Sequence, residues 1–195
     1  MKKQNPKNNL RSHFLDSISF IKSSRRYIYF AASLFALFFI IGLFFSPSLE
    51  IESQILKMIQ EIMSQFQGLS LVQTIWAIFY NNSLVSLISI LFGLLFGVFP
   101  IVASVSNGYI VGYVASKAIS QQGVFILWRL LPHGIFELPA VLISMGIGTR
   151  LGLSITSKER TSDIFKSSMK TFILIIIPLL LIAATIEGFL VFFFK

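Results

Sequence analysis

From residue 27 onward the chain alternates long apolar runs with short polar ones, and the runs have the length of membrane crossings. Tyr27 to Ser46 holds no charge and is rich in Phe, Leu and Ile, and its length matches the ~20 residues needed to cross a hydrocarbon core. The apolar run is too long, and its exit through Pro47 too lacking in small residues, for a cleaved signal peptide. It is therefore expected to be an uncleaved first span. Ser83 to Ser116 is 34 residues without a charge, too long for one crossing, and is predicted to divide at Ser104, Ser106, Asn107 and Gly108 into a second and a third span. Pro132, a residue favoured in the first turn of a helix, opens a fourth, which runs to about Leu153. A fifth extends from about Thr171 to Phe194.

The third span is unusual. Asn107 to Ile119 supplies only 13 residues, roughly 20 Å of helix, before the polar stretch Ser120 to Gly123. Val124 to Leu131 is apolar but too short to cross. The pattern predicts a broken span with a half-helix or re-entrant piece, tolerated only where protein or a water-filled cavity covers the backbone.

Two segments are amphipathic. Between Leu49 and Phe66, Ile51, Ile55, Met58, Ile59, Ile62, Met63 and Phe66 recur at helical spacing among Glu, Gln and Ser, which predicts a helix with one apolar face. That face, at Ile55, Ile59, Ile62 and Phe66, either rests on the protein's own span ends or the lipid interface, or receives a second subunit or another partner. A shorter stripe at Val72, Ile75, Trp76 and Phe79 leads into the membrane, with Trp76 and Tyr80 as interface anchors. Small residues recur four apart at Gly93 and Gly97, at Gly108 and Gly112, and at Ser144, Gly148 and Gly152. Such faces let helix backbones approach closely, within the bundle or between two subunits of a homodimer.

Composition removes the soluble alternatives. Charged residues make up 12% of the chain and apolar ones 55%, against about a quarter and a half in soluble domains. The 16 cations and 8 acids are bunched, so the net charge of +8 acts as a topology signal and not as a nucleic-acid footprint. Residues 1–26 form a basic leader with seven cations and one Asp; the segment 47–82 begins with Glu50, Glu52 and Glu61 against Lys57; the loop at about 154–170 is again net basic. The positive-inside rule puts the leader and that loop in the cytoplasm, the 47–82 segment outside, and, with five crossings, the C-terminus outside. The fold class is all-α: a transmembrane bundle whose last four spans occupy 83–195. With no cysteine, disulfides and thiolate chemistry are excluded.

A few ionisable residues remain at membrane depth. Measured from Pro132, Glu137 lies ~8 Å and Arg150 ~27 Å along the fourth span, and Glu187 lies ~25 Å above Lys170 in the fifth. Both acids then fall in the outer half, with Lys117 near mid-depth. An unpaired charge at a helix centre costs about 2.5–3.5 kcal/mol, so Lys117, Arg129, His133, Glu137 and Glu187 are expected to form one outer polar cluster. It serves as a network holding the broken segment, as a path for a solute or proton, or as groups exposed at the interface. His133 and Glu137 share a helix face, but a zinc site needs three or four ligands. There is no H-E-x-x-H, G-x-S-x-G or phosphate loop. Neither a metal nor a cofactor is expected, nor is an enzyme.

The residues also resemble a known family. Asn81-Asn82 before an apolar run, Gly93 and Gly97, Asn107-Gly108, the run Leu131-Pro132-His133-Gly134-Ile135-Phe136-Glu137-Leu138-Pro139-Ala140 and the Gly-rich stretch Gly146 to Gly152 are similar to the stage II sporulation protein M family. The P-H-G-x-x-E-L-P core is the specific part, and the likeness covers about residues 27–195. It implies a polytopic membrane protein of about five spans. In endospore formers the namesake acts with two cell-wall-degrading proteins during engulfment as their membrane scaffold, and members occur in organisms that make no spores. The expectation is a non-enzymatic scaffold for membrane or envelope proteins, and the alternative a small-solute or ion transporter using the outer polar cluster.

Overall fold

The computed structural model describes residues 10–193; for Met63 and residues 126–133 only the backbone is described. Among the described residues the chain is helical, without strands, and five helices are long and apolar enough to cross a membrane. Helix α1 (Leu10–Ser23) precedes the first span, α2 (Arg25–Phe44), with only Ser24 between them. At that junction the Ser24 N–H and hydroxyl both donate to the Phe20 carbonyl, at 2.9 and 2.8 Å, closing the last turn of α1 before α2 begins. Pro47 cannot continue a helix, and the chain re-enters one as α3 (Leu49–Gln65), whose first turn holds Glu50 and Glu52, acids that favour the positive end of a helix dipole.

The second span, α4 (Leu71–Leu91), starts well before the sequence places it. Ser70 and Gln73 cap it reciprocally, each side chain serving the other's backbone N–H. Such a box satisfies two of the donors that a helix start leaves open. Ser70→Ala is expected to cost about 1 kcal/mol, read as a lowered unfolding midpoint of the purified protein. A short 3-10 turn, Phe92–Leu94, extends α4. The chain then reverses through Phe96 and Gly97, both with positive φ, at 53° and 73°.

This places the break between the second and third spans at 93–97, not at Ser104–Gly108. The third span, α5 (Val98–Gln122), is one continuous helix of 25 residues, ~38 Å long, so it is neither short nor broken. Its polar residues satisfy themselves on the preceding turn: Ser104 donates to the Pro100 carbonyl, Ser106 to that of Val102, and Asn107 to that of Ala103. After Gly123, at φ 78°, and a 3-10 turn at Val124–Ile126, α6 runs from Leu127 to Ser154. The apolar piece 124–131 therefore leads straight into the fourth span, and Pro132 stands in the second turn of α6 instead of opening it.

The 154–170 stretch is mostly helix. Helix α7 (Thr161–Thr171) continues through a π-helical segment, Phe172–Ile176, into α8 (Ile177–Phe193). Pro178 lacks the N–H that would close the α-helical turn, and its ring crowds the carbonyl four residues back. The wider π turn immediately before it absorbs that misfit.

Packing follows the small residues. Helix α2 runs parallel to α5, with Gly108 against Phe35 and Gly112 against Phe39; α4 runs parallel to α6, with Gly148 against the Ser89 carbonyl. Gly93, Gly97, Gly148 and Gly152 interlock where α4, the reversal and α6 meet, so these faces are turned inward onto the same chain. Helix α8 closes the bundle against α4 and α6 around a core of Ile90, Ile147, Leu151, Ile176 and Leu180. Outward faces expose residues such as Leu37, Ile40, Val102 and Leu181, as a lipid-facing surface requires.

Candidate functional site

Odd crossing number gives the bundle two unlike ends. At one, α1, the start of α2, α7 and the 155–160 loop gather eight cations, Arg11, Lys22, Arg25, Arg26, Lys158, Arg160, Lys166 and Lys170, around Asp16, Glu159 and Asp163. At the other lie α3, the last turns of α5, the first turns of α6 and the end of α8.

Glu137 on α6 and Glu187 on α8 both fall inside candidate spans near this second end, and both are half-buried. Gly188, next to Glu187, packs on Ile75 at the start of α4. Counting back equally along parallel α4 and α6 from the Ser89–Gly148 contact brings Glu137 level with Ile78, one turn from Ile75. The two acids lie near enough for their negative charges to repel each other. Among the described residues no cation lies within ion-pair distance of either. On α4, deeper in the bundle, Ser83 and Ser86 have buried hydroxyls with no partner among the described residues.

Lys117 does not join them. Its ammonium meets Glu52 of α3 at 2.7 Å, and Glu52 also accepts from the Tyr113 hydroxyl at 2.6 Å. The expected five-residue cluster therefore divides. The reason is register: α2 ends level with Tyr109 and Tyr113, the Tyr109 hydroxyl reaching the Phe45 carbonyl at 3.2 Å. Lys117, one turn further along α5, has passed the end of the first span and meets the acidic start of α3. The side chains of Arg129 and His133, and that of Pro132, lie outside the described residues. Of the other motif positions, Asn81 and Asn82 lie within α4, Asn107 and Gly108 within α5, and Gly134 and Pro139 within α6.

The Glu52 contact ties α3 to the bundle, and the Lys117 ammonium, followed by the Tyr113 hydroxyl, holds the Glu52 carboxyl below its ordinary value of 4.5. A carboxyl depressed on folding stabilises above its ordinary value and loses that contribution as pH falls through the depressed one. Helix α3 is thus expected to stay docked at neutral pH and to loosen only below about pH 4.5. Glu52→Gln should loosen it at every pH, and Glu52→Lys with Lys117→Glu should restore it; protease protection of α3 in the detergent-purified protein measures each. Docking also covers Ile55, which is buried within the protein and so leaves the expected partner face. Ile59 and Phe66 are half-buried, while Ile51, Leu56, Met58 and Ile62 remain exposed.

A third polar site, which the sequence does not reveal, lies at the basic end. Arg150 is 8% exposed. Its guanidinium donates to both Glu159 oxygens, at 2.8 and 3.3 Å, and to the hydroxyls of Ser23 and Ser24, at 2.7 and 2.8 Å. Its other face covers the Phe20 ring at 4.9 Å. One side chain thereby joins the α1–α2 junction, the end of α6 and the loop after it. Its serine partners are 127 and 126 residues away in sequence, so no local pattern announces them; the only sign is an Arg among small residues at the end of a span.

Five spans with buried polar contacts at both ends define a multi-pass α-helical membrane protein. More narrowly, residues 31–191 match Stage II sporulation protein M, and the chain belongs to that family. It is 31% identical over 127 residues to uncharacterized protein MJ0706 of Methanocaldococcus jannaschii, covering 60% of this chain and 56% of that protein. Uncharacterized protein MJ0793 of the same organism is 30% identical over 123 residues, covering 58% of this chain and 68% of the relative. The chain thus spans little more than half the length of MJ0706. No solved structure matches.

Proposed function

We propose that the protein is a non-enzymatic membrane scaffold and that α3 is the element it offers to a partner membrane or envelope protein. One observation carries this reading. Helix α3 lies outside the five spans, is fixed along one edge by Ile55 and Glu52, and leaves Ile51, Met58 and Ile62 uncovered beside it. A docked helix with an open apolar edge has already lost part of the freedom that binding would otherwise remove. The basic end faces the cytoplasm in this reading, by the charge bias of its segments, and α3 the opposite side. Labelling of a cysteine placed at 166 by a membrane-impermeant reagent in intact cells would overturn that orientation.

The scaffold is tested with a photo-crosslinker at position 58 in cells. A discrete protein adduct that disappears in Ile51→Asn with Ile62→Asn, and survives Glu137→Gln, is the expected result. Adducts to lipid alone would overturn it.

A second reading, transport of a small solute, ion or proton, is favoured by the nearness of Glu137 and Glu187. Ionisable groups inside spans mark pathways by default, and the unpartnered hydroxyls of Ser83 and Ser86 extend polarity toward the basic end. Here Glu137→Gln and Glu187→Gln should each abolish flux in proteoliposomes while the α3 variants retain it.

A further inference from the structure

We propose that the groove between α1 and the π-helical start of the fifth span binds one anionic phospholipid of the bilayer, with its phosphate on Arg11 and an acyl chain along Ile173, Leu174 and Pro178. The groove is walled by Leu10, Arg11 and Phe14 on one side and by Ile173, Leu174 and Pro178 on the other. Its lining is apolar apart from one guanidinium.

Three features point to this occupant. The first is depth. The groove begins three residues after Lys170, the last charge before the apolar part of the fifth span, so it crosses from the headgroup region into hydrocarbon. Leu10, Phe14 and Leu15 are 70%, 44% and 54% exposed and Ile173 is 63% exposed, surfaces that belong in lipid, as on an interfacial amphipathic helix.

The second is charge. The neighbouring acids are already engaged, Asp16 by Lys170 at 2.7 Å and Glu159 by Arg150 at 2.8 Å. Among the described residues no acid pairs with Arg11. A planar guanidinium suits phosphate, which it can bind through two parallel hydrogen bonds.

The third is shape. Where the fifth span passes α1 through the π segment, Ile173 and Pro178 stay uncovered. A free phosphate ion has no use for apolar walls. A peptide would need partners for its backbone, and this lining offers none beyond the single Arg.

The test uses full-length protein carrying Trp76→Phe, Trp128→Phe and Leu174→Trp, reconstituted in phosphatidylcholine vesicles. Quenching of position 174 is titrated with phosphatidylglycerol or phosphatidylcholine brominated on the acyl chain. Phosphatidylglycerol is expected to quench with about fivefold higher apparent affinity, the effect of one cation near an anionic surface. Arg11→Gln should remove that preference. Lys158→Gln, which neutralises an exposed cation at the same end, should leave it unchanged. Added inorganic phosphate should not compete. Equal quenching by the two lipids, no quenching by either, or a preference lost equally in both charge variants would each overturn the proposal.

Discussion

Gly152→Ala is expected to lower the stability of the bundle by about 2 kcal/mol, in the middle of the 1–3 kcal/mol typical of overpacking. A Cβ at this position would overlap the backbone nitrogen of Gly97 and the carbonyl oxygen of Gly93. Backbone atoms have no rotamer to change, and these belong to a turn already constrained by positive φ at Phe96 and Gly97. Gly97, moreover, donates to the Gly93 carbonyl at 2.7 Å, so displacing either atom also opens that bond. Gly134→Ala is the control on the same helix, since among the described residues its Cβ would meet only a Leu138 methyl, at 3.9 Å. Unfolding midpoints in mixed detergent and denaturing surfactant, measured for both variants, decide the matter. Equal midpoints would show that close approach at Gly152 does not hold the helices together.

Glu159→Ala is expected to cost about 2 kcal/mol, because it leaves the buried Arg150 guanidinium without its counter-ion and without its two hydrogen bonds to a carboxylate. Removing one partner of a fully buried pair typically costs more, about 3–5 kcal/mol. Here the serine hydroxyls of the α1–α2 junction stay in place, and Glu159 itself is 37% exposed. The pH dependence has a definite sign. The Arg150 guanidinium holds the Glu159 carboxyl below its ordinary 4.5, so the contribution is complete above that value and is lost as acid titrates the depressed group. The difference between wild type and Glu159→Ala should therefore be constant at neutral pH and shrink below about pH 4.5. Arg150→Lys should not substitute, since a single ammonium cannot reach two serines and both carboxylate oxygens. Unfolding midpoints across about pH 3–8 check both statements.

Much of the architecture is legible in hydrophobic periodicity. The first span, expected at 27–46, is α2 at Arg25–Phe44, and the amphipathic stretch from Leu49 is α3. What misleads is polarity as a sign of turns. Ser104, Ser106 and Asn107 suggest a loop, yet each bonds to a carbonyl of the preceding helical turn and stays inside α5. The true reversal is made by Phe92 to Gly97, whose side chains are all apolar or absent. Its signal, two glycines four apart, is the same one that marks a helix-packing face. Asn81 and Asn82 mislead in the same way, because α4 carries them within a span that starts earlier, at Leu71. In the candidate site, depth counting groups Glu137 with Glu187 but also draws in Lys117. That depth was counted from a span start at Asn107, whereas α5 begins at Val98. The partner of Lys117, Glu52, is 65 positions away on an element that no count along a span includes.

The parallel pairing of α2 with α5 has a consequence for how the protein is made. Helices that are consecutive in a chain and joined by short turns lie antiparallel; parallel neighbours must be separated by a returning span. Phe35 and Phe39 of α2 cannot meet Gly108 and Gly112 until α3, α4 and most of α5 have left the ribosome. During synthesis at ~5–20 residues per second, the first span therefore waits several seconds in the bilayer with its largest packing face open to lipid or to any helper protein nearby. Assembly of this membrane protein is governed less by insertion of each helix than by the arrival of the third.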